Sequence, residues 1–160
     1  MNSLTKGNRD LLRERPRRIC IPLLLFYHPL NIYRKRVIKQ ADVLLAMFLL
    51  GDAFPTETKK RNFDFYDPLT TGDSSLSSCV EAIIAAQTGD MDKAIRYGMA
   101  ALLMDLADVG GNVRDGCHIA SMGGTWMMLT YGFGGMRDSD GSCRSGHVAR
   151  LKRMRSFDFP

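Results

Sequence analysis

The stretch "NIYRKRVIKQADVLLAMFLLGD", residues 31–52, decides the fold class. Asn31 offers a helix start and Gly51 a stop. The second half, Val43 to Leu50, is apolar on nearly every side. A helix apolar all round belongs at the centre of a body, with neighbours on several sides. The sequence therefore predicts a central, buried helix near the start of the chain. The apolar run is far shorter than the roughly 18 residues a membrane span needs, and no membrane association is expected.

Further helices follow with short breaks. Pro55 and Pro68 bracket one over about 56–65. "PLTTGDSSLSSC" (68–79) is a polar loop running into a helix over 75–88, stopped by Gly89. Its Leu76, Cys79, Val80, Ile83 and Ile84 keep a 3.6-residue period. Asp90 caps the next helix, which runs to about Leu106. A fifth covers about 117–133. On it, Ile119, Met122, Trp126, Leu129 and Phe133 recur at spacings of 3, 4, 3 and 4, which reads as a packing face. His118, Ser121 and Thr125 share a neighbouring, polar face. No strand is expected. Five helices with short connections make an all-α array of antiparallel pairs. An odd count with an over-buried helix near the start suits part of a larger helical body.

The flanks differ in character. Residues 1–20 read as a basic, poorly ordered arm, and "IPLLLFYHPL" (21–30) as a buried extended segment. Beyond Arg137 no period is sustained, and 138–160 reads as an irregular tail.

The 160 residues carry a net charge of +5, but it is unevenly spread. Residues 1–20 hold a net +4 and residues 137–160 a net +3, so the stretch between them is mildly acidic at −2. No basic face with interleaved aromatics occurs, and nucleic acid is not an expected partner. Four cysteines, none in a CxxC pair, and three histidines argue against a metal site. Cys79 and Cys117 read as free, partly buried thiols in a reducing compartment. No signal-peptide core is present. The expected location is the cytoplasm.

Three short motifs carry chemistry. "RDGCHIASMGGTW" (114–126) sets His118 and Ser121 beside Gly123 and Gly124, ahead of the only tryptophan. Exposed amides at such a helix start would favour an anion; a tightly packed helix with a core histidine reads equally from the residues. Lys39 and Gln40 could bind sugar hydroxyls, Lys39 as donor and Gln40 as donor or acceptor, or Lys39 could be an ordinary solvated residue. "TTGDSSLS" (70–77) offers Thr70, Thr71, Ser74 and Ser75 at a second helix start, which could face the same anion or merely cap a helix.

Four ordered blocks, "IYRKRVIKQADVLLAMFLLGD", "KKRNFDFYDPLTTGDSSLSSC", "MDLADVGGNVRDGCHIASMGGTW" and "YGFGGMRD", together resemble the glycoside hydrolases of family 65. That family includes maltose, trehalose and kojibiose phosphorylases and acid trehalase. The resemblance spans about residues 21–137 and implies the last part of an (α/α)6 catalytic barrel. It implies inverting cleavage of an α-linked glucose disaccharide, trehalose or maltose for example. A glutamic acid protonates the leaving oxygen while phosphate or an activated water attacks from the opposite face. Lys39 and Gln40 match the family's Lys-Gln pair at the glucose subsite. His118, Ser121 and Gly124, with Thr71 and Ser74, match its phosphate side. No cofactor is implied; inorganic phosphate is the co-substrate. Many phosphorylases of the family carry His where Gly72 stands, which leaves hydrolysis open. Asp73 is then the candidate base, or a plain helix N-cap.

The family's general acid lies upstream of the Lys-Gln pair, and neither Glu14 nor any other residue sits in a matching block. The sequence reading is therefore of a truncated relative, inactive alone, that self-associates or pairs with a separately encoded upstream half. An independent helical binding protein is the third reading.

Overall fold

The computed structural model describes residues 26–138 and 141–145. The basic arm at 1–20 lies outside the described residues, as does most of the tail. The described chain is all-α apart from one short ladder: α1 Pro29–Tyr33, α2 Asp42–Leu49, α3 Thr56–Tyr66, α4 Ser77–Gln87, α5 Met91–Leu102 and α6 Ile119–Met127. A π-helical turn, Met128–Phe133, continues α6. The tail was expected to be irregular, but its described part pairs. β2, Arg144–Ser145, runs antiparallel to β1, Met136–Arg137.

The centre of the body is α4, not the helix of residues 31–52. Nine of its eleven residues are buried, from Ser77 and Cys79 through to Ala86. The helix packs on α2, α3, α5, α6 and the π turn. Small side chains make this possible, because Ala82, Ala85 and Ala86 let neighbours approach on every side. On α2 only Leu44 and Met47 are buried, and Leu49 and Leu50 stand exposed.

The helix expected from Asn31 is also interrupted. After α1 the chain turns and bends, and Ile38 forms a parallel bridge with Thr70. The Ile38 amide donates to the Leu69 carbonyl at 3.0 Å, and the Thr71 amide donates to the Ile38 carbonyl at 2.8 Å. Those bonds satisfy the backbone in place of a helical turn. Lys39 and Gln40 therefore sit in a bend between that bridge and α2. Of the apolar segment expected to be buried, residues 21–25 lie outside the described residues, and Phe26, Tyr27 and Leu30 are exposed.

α5 starts as expected, with Asp90 Oδ1 accepting from the Lys93 amide at 3.1 Å. It stops four residues short of Leu106, in a series of turns. α6 begins at Ile119 and lies against α4 through Gly124. A Cβ added there would sit 2.4 Å from Cys79 Sγ, so only glycine permits this helix spacing.

This contact inverts the expected faces of α6. Ser121, Gly124 and, one turn on, Met128 face the core. The stripe read as the packing face points outward. Ile119 is 72% exposed and Trp126 59%, with Met122 and Leu129 exposed beside them. Of that stripe only Phe133 is buried. A period in the sequence marks an apolar face, but it cannot say whether this chain or another segment covers it. Cys117, expected to be partly buried, is exposed, while Cys79 is buried.

Candidate functional site

The polar ends of several elements surround one cavity of about 570 Å³. Its wall includes Lys39 from the bend before α2, Asp67 at the end of α3, and Thr70 to Ser75 from the loop before α4. Ser78 and Glu81 of α4, Arg96 and Tyr97 of α5, and Asn112 and His118 ahead of α6 complete its polar lining.

The Ile38–Thr70 bridge fixes the loop at one side of the cavity. Gln40 Nε2 donates to Ser74 Oγ at 3.2 Å. Ser77 Oγ accepts from the Ala41 amide at 3.3 Å. The Lys-Gln segment and the hydroxyl-rich loop are thus stitched together across the start of α4. Gly72 turns the loop with φ +70°, and a Cβ there would meet nothing. The residue is glycine for its backbone path rather than for space. Asp73 was read as a possible N-cap, but the cap position of α4 belongs to Leu76, which makes no side-chain cap bond. Asp73 lines the cavity instead.

His118 closes the other side. Its Nδ1 lies 2.5 Å from Asp105 Oδ1, and its amide donates to Asp105 Oδ2 at 2.9 Å. That double grip holds Asp105 below the usual carboxylate range, the His118 hydrogen bond contributing most. The His118 Nε2 lies 3.3 Å from Asn112 Nδ2. Asn112 Oδ1 is a buried acceptor with no partner among the described residues.

The structure therefore gathers Lys39, Thr71, Asp73, Ser74 and His118 at one cavity, with Gln40 bonded to its wall. It does not bring Ser121 and Gly124 there. Ser121 is 1% exposed and donates to the Ser75 carbonyl at 3.0 Å. Gly124 is pressed against Cys79. Both join the two loops indirectly, by seating α6 on α4.

Sequence reasoning missed Asp67, Glu81, Arg96, Tyr97 and Asn112. Asp67 is held at 3.0 Å by Lys93 Nζ and by a short bond from the Tyr97 hydroxyl. Burial, then the Asp67 bond, pushes the Tyr97 hydroxyl well above its usual range. Glu81 is 4% exposed, and burial followed by the nearby Asp67 charge raises its carboxyl to about 7. One signal for Glu81 stood in the sequence: a lone acid one turn after Ser77 in an otherwise apolar helix.

A second cavity of about 270 Å³ lies at the opposite end of α2 and α4. There the buried Lys59 donates to Gln87 Oε1 at 3.2 Å. Burial, then the nearby Arg137 charge, lowers the Lys59 ammonium.

The described helices form part of an α/α barrel, with a cavity lined by hydroxyls, carboxylates and cations. The sequence comparisons fix the family. Residues 5–127 match the glycosyl hydrolase family 65 central catalytic domain, and the chain belongs to that family. It is 51% identical over 116 residues to an α,α-trehalose phosphorylase of Geobacillus stearothermophilus, covering 72% of this chain and 15% of that protein. It is 42% identical over 110 residues to a maltose phosphorylase of Bacillus subtilis, covering 69% of this chain and 14% of that one. A solved structure described as a kojibiose phosphorylase from human microbiome superposes with a TM-score of 0.73 at 34% identity. It covers 78% of this chain and 18% of that chain. The chain thus spans about 15% of the length of the curated relatives it matches. No helix among the described residues is long and apolar enough to cross a membrane.

Proposed function

We propose that this chain forms the anion side of a family 65 site, which cleaves an α-linked glucose disaccharide with inversion. The observation that supports it is the single cavity shared by Lys39, Thr71, Ser74 and His118. Phosphate sits against the Thr71–Ser74 hydroxyls and His118, and Lys39 with Gln40 meets the glucose. Phosphate is favoured over water as the attacking group, because a base is then not required and the chain's similar relatives are described as phosphorylases. Asp73 is the base of the hydrolytic alternative. No cofactor is needed besides phosphate as co-substrate. The general acid comes from a part of the barrel outside these 160 residues, so the chain binds but does not cleave. The setting is the cytoplasm, which suits exposed Cys117 and Cys143 thiols.

The test is a sensitive assay for glucose and glucose 1-phosphate with trehalose or maltose and phosphate. The expected result is no product above that of Lys39→Ala and His118→Ala chains. Product from the wild-type chain alone would overturn this reading.

One observation favours a second property, pairing with further helices of the barrel. Ile119, Met122, Trp126 and Leu129 form an exposed apolar stripe, and Leu49 and Leu50 are exposed as well. Contiguous exposed apolar surface of this kind marks an interface. Co-expression with an upstream family 65 fragment carrying the acid should restore phosphorolysis. A mixed product that neither associates nor turns over would remove the pairing.

A further inference from the structure

Glu81 has no role in the reading above, yet it is the one carboxyl buried in the wall of the cavity. It is 4% exposed and lines the same space as Thr71, Ser74 and His118. Its neighbours explain its state. Asp67 faces it from the end of α3, already committed to Lys93 and Tyr97. Tyr97 and Arg96 face the cavity from α5, Lys39 and Asp73 from the segments before α4, and His118, held by Asp105, from the start of α6. Cys79 on its own helix is a neutral thiol, raised chiefly by burial.

The charges decide what such a site accepts. The cavity wall offers the cations Lys39 and Arg96 against Asp67, Asp73 and Glu81. Asp67 is already offset by Lys93. Ionised, Glu81 adds one negative charge that opposes an anion; neutral, it removes that charge and its O–H becomes a donor. A largely buried carboxyl that lines the cavity gains from a ligand that can accept that proton's hydrogen bond.

We propose that Glu81 is an anion-contacting residue of this cavity, binding phosphate as a neutral acid that donates its O–H to a phosphate oxygen. The inference rests on the anion-site reading above. Glu81 then keeps its proton when the anion is bound, and anion affinity falls as pH rises through about 7, where the free carboxyl ionises. The residue also fixes which ligand is preferred: an oxyanion with acceptor oxygens, rather than a cationic or purely donor group.

The probe is sulfate, which carries the same charge across the working range, so that pH acts on the protein alone. Its affinity for the full chain is measured by calorimetry from pH 6.5 to 8 for wild type and Glu81→Gln. The wild type should lose affinity by about tenfold, and Glu81→Gln, a permanent neutral donor, should stay flat. Equal slopes in both would overturn the assignment and leave the anion site standing. No sulfate binding by either at any pH would reject the anion site and this inference with it. A second measurement needs no variant. The chain has only three glutamates, Glu14, Glu57 and Glu81, so ¹³C-glutamate labelling resolves each carboxyl by NMR. One carboxyl titrating near 7, shifted further up by sulfate, supports the assignment; all three titrating near 4 to 5 overturns it.

Discussion

The helices α4 and α6 are both rich in apolar and small residues, and they meet different fates. α4 is enclosed by α2, α3, α5, α6 and the π turn, so nine of its eleven residues are buried within this chain. α6 touches the body through Ser121, Gly124 and the turn that follows, and turns its largest apolar side chains outward. The difference shows that apolar periodicity measures what a helix offers, while coverage depends on which neighbours the chain itself supplies. It also separates two kinds of residue in one motif. In "GCHIASMGGTW", His118 faces the cavity, Ser121 and Gly124 face the core, and Trp126 faces out.

Substitutions can break or sharpen that contrast. Ile83→Ala empties a site on α4 that is 1% exposed. It should destabilise the chain by about 2–5 kcal/mol in urea melts. A loss under about 1 kcal/mol would mean α4 is not the packed centre.

Glu81→Gln comes next, and its sign is opposite. The folded carboxyl is raised to about 7 from 4.5. Below pH 4.5 it is neutral in both folded and unfolded chains and costs nothing. As pH rises from about 4.5 to 7, the unfolded chain loses its proton first, and folded stability is lost progressively. Glu81→Gln should therefore stabilise the chain by about 3 kcal/mol at pH 8 and by almost nothing at pH 4. Melts at the two pH values check this, and an equal effect at both would contradict the burial of an ionisable group here.

Gly124→Ala forces the α6 backbone away from Cys79 and should cost about 1–3 kcal/mol. Trp126→Ser, on the outer face of the same helix, should change stability by less than about 0.5 kcal/mol. It should also reduce self-association in sedimentation. A large loss of stability from Trp126→Ser would mean the stripe is covered after all.

Much of this architecture was legible in the sequence. Helix ends set by Pro55, Gly89 and Asp90 stand where local chemistry put them. The break before α2 was not legible, because Ile38 leaves helical geometry for a bridge to Thr70, a partner thirty-two residues away. Which helix sits at the centre was misread for a related reason. Leu and Phe in α2 advertise burial, but the alanines of α4 permit close neighbours on all sides. Lys39, Thr71, Ser74 and His118, which line one cavity, were singled out by their motifs. Asp67, Arg96 and Tyr97 were not, since each lies on a helix whose pattern explains it as an ordinary surface or capping residue. Only the fold turns them toward one cavity.

The most direct measurement is a calorimetric titration of inorganic phosphate into the 160-residue chain at pH 6.5, beside Ser74→Ala and His118→Ala chains that melt like the wild type. The expected result is saturable binding by the wild type, weakened about tenfold or more in each variant by loss of a hydrogen-bond donor to a charged ligand. Absence of binding, or binding of equal strength in all three, would contradict an anion site at this cavity.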